Sequence, residues 1–218
     1  MNWSMLRHAA WLDTRAAFVQ TLPPNGALLD LGSSDGETLG HMAELRPDLR
    51  LFSVDLAGTP TQYPKGCEFR HADLERDRLP WVDGSMDGIT CMHLVEHLKE
   101  LRPLMAQIAR LLRAGGRVYF ETPHPKTVDL PRISGKWAGK FTMNFYDDPT
   151  HMKPVPIEEL EEMARSAGLQ PERSGVSSNR LFAASHLLFQ FLPPSRQKFT
   201  ARIHWLGWSA FLVARKPL

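Results

Sequence analysis

Short, continuous apolar runs alternate along this chain with longer stretches whose apolar residues recur every three or four positions. The first pattern marks strands buried on both faces and the second marks helices with one buried stripe, so the alternation predicts an α/β chain with a largely parallel sheet. A helix is expected over residues 4–21, ending before Pro23 and Pro24. Strands follow at Ala27–Leu31, 51–54, 67–71, 88–92 and 117–121, each bounded by turn residues. Between them, one helix carries Leu39, Met42 and Ala43 and stops at Pro47. Another, over residues 102–113, carries Leu104, Met105, Ile108, Leu111 and Leu112, with Gly115 as its C-cap. Residues 122–156 break this rhythm with prolines, glycines and polar aromatics. Loops of that length inside compact domains are uncommon and usually functional, which predicts a lid or substrate loop. A helix over 157–167, a strand over 172–177 and a last strand over 208–214 complete one domain spanning residues 1–218. The segment 178–207 before the last strand is a helical insertion split by Pro193 and Pro194.

The first strand runs straight into a glycine-punctuated turn, Leu28-Leu29-Asp30-Leu31-Gly32-Ser33-Ser34-Asp35-Gly36, and then into a helix. Glycines there let backbone N–H groups approach a ligand, and the helix N-terminus favours a polar or anionic group. A dinucleotide fingerprint needs G-x-G-x-x-G; this turn reads Asp-x-Gly-x-x-x-Gly and lacks the third glycine at that spacing, which speaks against a nicotinamide enzyme. Asp55, closing the second strand, stands where an acid accepts hydrogen bonds from ribose hydroxyls.

The turn resembles the first motif of the class I S-adenosylmethionine-dependent methyltransferases, acid-x-Gly-x-Gly-x-Gly, with Ser34 where the middle glycine is usual. Four more features resemble that family in the same order. They are Asp55-Leu56; Ala72-Asp73-Leu74; the strand through Cys91 and Met92 followed by His93-Leu94-Val95-Glu96-His97-Leu98; and the junction LLRAGGRVY over 111–119. The closing WSAFLVARKP is similar to the family's antiparallel last strand. The resemblance implies a Rossmann-like seven-stranded, mostly parallel sheet with helices on both faces and an antiparallel last strand. It implies S-adenosylmethionine as cofactor, held by Gly32, Ser33 and Gly36 in the turn, with Asp30 facing the methionine amine and Asp55 the ribose. Leu56 would lie on the adenine face, Asp73 and Leu74 at its edge, and Cys91 at the end of the fourth strand.

Methyl transfer is an in-line displacement that chiefly requires donor and acceptor to be held together, and a hydroxyl acceptor profits from a general base, most often histidine. The candidates are His97, His124 and His151. The segment 144–154, NFYDDPTHMKP, resembles one in bacterial methyltransferases associated with glycan assembly and favours His151 as base or positioning residue, with Tyr146 beside it. His93, Glu96 and His97 would share one face of a helix and are spaced to ligate a divalent ion. They resemble the Glu-x-x-Glu-His of methyltransferases acting on phenols or RNA ends, or they simply begin a helix near the cofactor.

Composition narrows the partners. The 218 residues are 43% hydrophobic and 23% charged, ordinary globular usage. Two cysteines make no disulfide framework, and charges interrupt the N-terminal apolar pattern, so a cytoplasmic chain without a signal peptide or membrane span is expected. Net charge is +2, but it is unevenly spread: beyond Glu172 lie 7 basic and 0 acidic residues, leaving 19 against 24 up to and including it. The C-terminal part is therefore expected to meet something anionic. Residues 178–207 fit either a membrane-surface segment or a helix pair capping the acceptor pocket. Cys91-Met92-His93-Leu94 differs from the Asn/Asp-Pro-Pro-aromatic tetrapeptide of base-amine methylation, and the basic tail lacks an RNA-binding module, so nucleic acid is not expected as a partner. The acceptor expected is a small molecule, a saccharide or a lipid-linked metabolite, methylated on a hydroxyl oxygen. A methyltransferase-like protein that binds cofactor without catalysis is the other reading, and turnover separates the two.

Overall fold

In the computed structural model, which describes residues 3–218, the apolar runs become the strands of one seven-stranded sheet. In chain order the elements are α1 (Thr14–Gln20), β1 (Ala27–Leu31), α2 (Glu37–Leu45), β2 (Arg50–Asp55), β3 (Glu68–His71), β4 (Met86–Met92), α3 (Arg102–Leu111), β5 (Leu112–Pro123), α4 (Ile157–Ser166), β6 (Gln170–Ser177), α5 (Arg180–Phe189), α6 (Arg196–Leu206) and β7 (Ser209–Arg215). The strand order is β3-β2-β1-β4-β5-β7-β6; β1 to β5 pair in parallel, and β7 runs antiparallel to both β5 and β6.

Side chains alternate across these strands and build two cores. Leu29, Leu31, Ile89, Cys91, Val118 and Phe120 pack against α3 and α4, while Leu28, Tyr119 and Phe211 pack on the other face against α1 and α2. Helices thus cover both faces, as the unbroken apolar runs require. The order in which strands are added reverses between β1 and β4, β2 and β3 lying to one side of β1 and β4 and β5 to the other, and in such sheets the crevice outside the carboxyl ends of the strands is where ligands bind. Beneath that crevice a buried polar row crosses the sheet, with Asp30 registered against Ser53 on one side and Thr90 on the other.

Three local expectations are corrected. The N-terminal segment is not one helix: 3₁₀ turns cover Trp3–His8 and Ala10–Leu12, and Asp13 is extended. The Asp13 carboxylate caps α1 by accepting from the Arg15 and Ala16 amides and also accepts from Asn179 Nδ2 at 2.9 Å, so a contact distant in sequence restarts the helix. Gly115 does not cap α3, because Leu112 is already extended; Gly115 instead turns the chain within β5 at φ 74° and donates its N–H to the Lys216 carbonyl. The segment 122–156 is not irregular throughout. Its start extends β5, three 3₁₀ turns follow, and Phe145 and Val155 are fully buried. Asn144 Nδ2 donates to the carbonyls of Val128 and Leu130, and Trp208 Nε1 to that of Met143. The stretch 178–207 does form two helices, α5 and α6, separated at the two prolines.

Candidate active site

The turn after β1 adopts the backbone that its glycines announce. Gly32, Ser34 and Gly36 all have positive φ (69°, 49° and 76°), and a Cβ on Gly32 would sit 3.0 Å from Leu94. Ser34 occupies a left-handed conformation that disfavours side chains. Two contacts hold it there: its N–H donates to Asp55 Oδ2 at 2.8 Å, and its carbonyl accepts from the Tyr63 hydroxyl at 2.9 Å. Asp55 also accepts from the Ala57 N–H at 3.0 Å. A carboxylate has about four acceptor positions, so two remain for a diol. Next to it Leu56 is 72% exposed, an apolar surface with nothing of the chain covering it.

Other expected cofactor residues sit differently. Ser33 turns inward, its hydroxyl directed at Tyr63 and the Val54 carbonyl, so only its backbone borders the crevice. The Cys91 side chain is buried among Leu31, Phe120 and α3, because its strand position points to the face opposite Thr90; burial pushes its thiol well above the usual range. Leu74 is likewise part of the core. Asp73 closes its own turn, accepting from the Glu75 N–H at 3.0 Å and facing Arg76 at 3.5 Å. Asp30 lies under the turn, 2% exposed, and accepts from the Thr90 hydroxyl at 2.6 Å. Burial raises its carboxyl to about 7; the Thr90 hydrogen bond opposes this and the Asp55 charge adds to it.

Beyond β4 the segment from His93 forms no α-helix, only a 3₁₀ turn over Val95–His97. His93 itself is left-handed at φ 51°, which swings its ring back between two carboxylates: Nδ1 lies 3.3 Å from Glu96 and Nε2 3.2 Å from Glu121. The expected trio of His93, Glu96 and His97 is therefore not the one that forms. A ring nitrogen of His97, one of His151 and an oxygen of Glu96 instead lie within 4.8 Å of one another. These are the residues that could hold a cation, but ligand atoms around a tetrahedral zinc are only about 3.4 Å apart, so they would have to close up first.

The hydrogen bonds of the two histidines fix their tautomers. The Phe145 carbonyl can only accept, so His151 Nδ1 carries the proton of that 2.6 Å contact. The Thr150 hydroxyl donates to Asp148 and so accepts from His97 Nδ1 at 2.9 Å. In the neutral rings both Nε2 atoms are left with their lone pairs, and that of His151 is 4.0 Å from Glu96 Oε1. Tyr146 is not brought to this cluster. Asn144 and Asp147 form a capping box that turns Phe145 inward and leaves Tyr146 outward, 48% exposed under the Arg132 guanidinium. His124 caps the next 3₁₀ turn through Lys126 N. A cavity of about 560 Å³ opens over His93, His97 and His151, closed on the far side by Phe199, Thr200 and Trp208.

Sequence reading missed the group beneath this cavity. Glu121, fully buried in the last part of β5, accepts from Arg15 Nε at 2.8 Å, from the Tyr119 and Ser177 hydroxyls at 2.8 Å each, and closely from Arg15 Nη2. Burial alone would raise Glu121, but Arg15 and His93 hold it well below the usual carboxylate range. Burial alone would lower His93, but Glu121 and Glu96 carry it to about 9, so it is an imidazolium at neutral pH.

A doubly covered, mostly parallel sheet with an acid and a glycine turn at its switch point defines a Rossmann-like nucleoside-binding protein. Residues 4–174 match the family described as a methyltransferase domain, and the chain belongs to that family of S-adenosylmethionine-dependent methyltransferases. It is 33% identical over 183 residues to a ubiquinone biosynthesis O-methyltransferase of Thiobacillus denitrificans, covering 78% of this chain and 74% of that protein. A methyltransferase structure from Mesorhizobium loti superimposes with a TM-score of 0.64 at 16% identity, covering 97% and 100% of the two chains. Geranyl diphosphate C-methyltransferase from Streptomyces coelicolor, in complex with S-adenosyl-L-homocysteine, gives 0.59 at 15% identity, over 94% and 81%.

Proposed function

We propose that the chain methylates a hydroxyl oxygen of a small-molecule, saccharide or lipid-linked acceptor. The convergence of His97 and His151 on buried Glu96, at the rim of the cofactor crevice, carries this reading. A relative named as an O-methyltransferase supports the oxygen acceptor. When bound, S-adenosylmethionine supplies an electrophilic methyl group on a sulfonium. The backbone at Gly32, Ser33 and Gly36 together with Asp55 holds the nucleoside, Leu56 covers the adenine, Asp73 lies at its edge, and Asp30 faces the methionine amine. His151 Nε2 takes the acceptor's proton, with its ring held by the Phe145 carbonyl, and His97 orients the hydroxyl from the other side. The outer part of 122–156 closes over the acceptor and excludes water.

The Asp30 carboxyl sets a pH dependence. Since it titrates near 7, it is largely neutral below that and cannot attract an ammonium group. Cofactor affinity is expected to rise by up to roughly tenfold per pH unit between pH 5 and 7 and to level off above. Titration calorimetry checks this, and Asp30→Asn should bind weakly and without the slope; a flat wild-type profile would remove Asp30 from the amine site. The sign for folding is opposite: ionising a buried acid whose pKa is raised costs stability as pH climbs from about 4 to 7.

No helix among the described residues is long and apolar enough to cross a membrane. Peripheral contact through α5 and α6 fits this reading, since α5 buries none of its residues and Leu188 and Phe191 are 72% and 83% exposed. Both cysteines are free thiols, which supports a cytoplasmic setting.

A further inference from the structure

Between α6 and the outer part of 122–156 lies a second cavity, of about 320 Å³. Its walls are apolar, formed by Ile133, Trp137, Phe141, Met143 and Phe199, and the Phe141 and Phe199 rings stack at 4.3 Å. The same two rings also line the cavity over His97 and His151, so the two spaces adjoin at Phe141 and Phe199. The second cavity's rim carries Arg132, Lys198 and Arg202 and no carboxylate.

These cations are not equally engaged. Lys198 Nζ donates to the carbonyls of Gln190 and Leu192 at 2.7 Å each, which ties down the turn between α5 and α6. Arg132 is exposed and lies 5.8 Å from the Tyr146 ring centre; Arg202 is exposed too, and among the described residues neither is paired with a carboxylate. Unpaired guanidiniums beside an apolar cavity favour an oxyanion, which offers them bidentate charge-assisted hydrogen bonds. The absence of any acidic residue after Glu172 adds a positive field around α6.

We propose that this cavity recognises the acceptor and that the acceptor is an amphiphilic anion. Its alkyl or aromatic body lies against Trp137, Phe141 and Phe199, its phosphate or carboxylate is held by Arg132 and Arg202, and its hydroxyl reaches the neighbouring cavity. The inference rests on His97 and His151 marking the reacting end, but its test uses binding alone. Octyl phosphate below its micelle concentration, octyl glucoside and inorganic phosphate are titrated calorimetrically into the intact protein. Octyl phosphate is expected to bind at least roughly tenfold more tightly than either of the others. The double variant Arg132→Gln/Arg202→Gln is expected to lose about that factor while keeping its affinity for S-adenosylmethionine, which also shows that it folds. Should the double variant not fold, Arg202→Gln alone is expected to show part of the loss. Equal affinity for octyl glucoside and octyl phosphate, or an unchanged octyl phosphate affinity in the folded variants, overturns the proposal. Retention on anionic vesicles without affinity for monomeric octyl phosphate overturns it as well, by assigning these charges to a membrane surface. Failure of the acid–base reading looks different: His151→Ala would turn over normally while octyl phosphate still bound through the two arginines.

Discussion

Replacing Glu121 by Gln is expected to destabilise the fold by up to about 3–5 kcal/mol, because it leaves the partly buried Arg15 guanidinium and His93 imidazolium facing each other with no anion between them, Glu96 alone remaining beside His93. For a chain of this size that corresponds to a melting point lower by roughly 6–20 °C. The effect has a pH window. Glu121 is depressed in the folded state, so its contribution is present above its ordinary value near 4.5 and is lost as pH falls through its folded value. His93 is raised, so its contribution is complete below 6.5 and fades as pH rises through about 9. The gap between wild type and variant should therefore be widest between about pH 5 and 6.5 and narrow toward pH 9. Chemical denaturation across that range measures it. Equal stability of the two proteins at pH 6 would mean that the network is not holding the site together.

Removal of the His151 imidazole is expected to lower turnover by about 10²–10⁴-fold with little change in cofactor affinity, the signature of a group used in the reaction rather than in binding. His151→Ala also deletes the Nδ1–H that holds the Phe145 carbonyl, so a structural loss must be separated from a chemical one. His151→Asn does this: its amide can still donate to that carbonyl, yet it carries no base. Both variants should be equally slow if proton removal is the role. Recovery of turnover in His151→Asn would make His151 a positioning residue for the segment around Phe145. His97→Ala should cost less, since His97 is tied through Thr150 to Asp148 and orients the acceptor.

The strands β1, β4, β5 and β7 were legible because each carries a short apolar run buried on both faces, whereas β3 and β6 are largely polar and exposed and are marked mainly by the turn residues around them. The glycine turn was legible for a similar local reason, although Ser34 is accommodated only through Tyr63 and Asp55, which come from other strands and loops. Side-chain direction was the weaker step. Cys91 sits at the right level of β4 but on the wrong face, and the period of two, counted from Asp30 and its partner Thr90, would have placed it in the core. The break at Asp13 depends on Asn179, and the fate of His93 on Glu121 and a positive φ; neither leaves a trace in nearby sequence. Glu121 read as an ordinary strand end, because only the fold brings Arg15 to it. His97 and His151 were each candidates singly, but their meeting on Glu96 is a tertiary fact.

Calorimetric titration of S-adenosylmethionine into the wild type and into Asp55→Ala decides whether the crevice is the cofactor site, since Asp55 borders both the glycine turn and Leu56 and its carboxylate has acceptor positions to spare. Saturable binding to the wild type is expected, with an affinity lower by about 1–3 kcal/mol in the variant, the cost of leaving ribose donors unpaired. No binding to the wild type, or the same affinity in both, would contradict it.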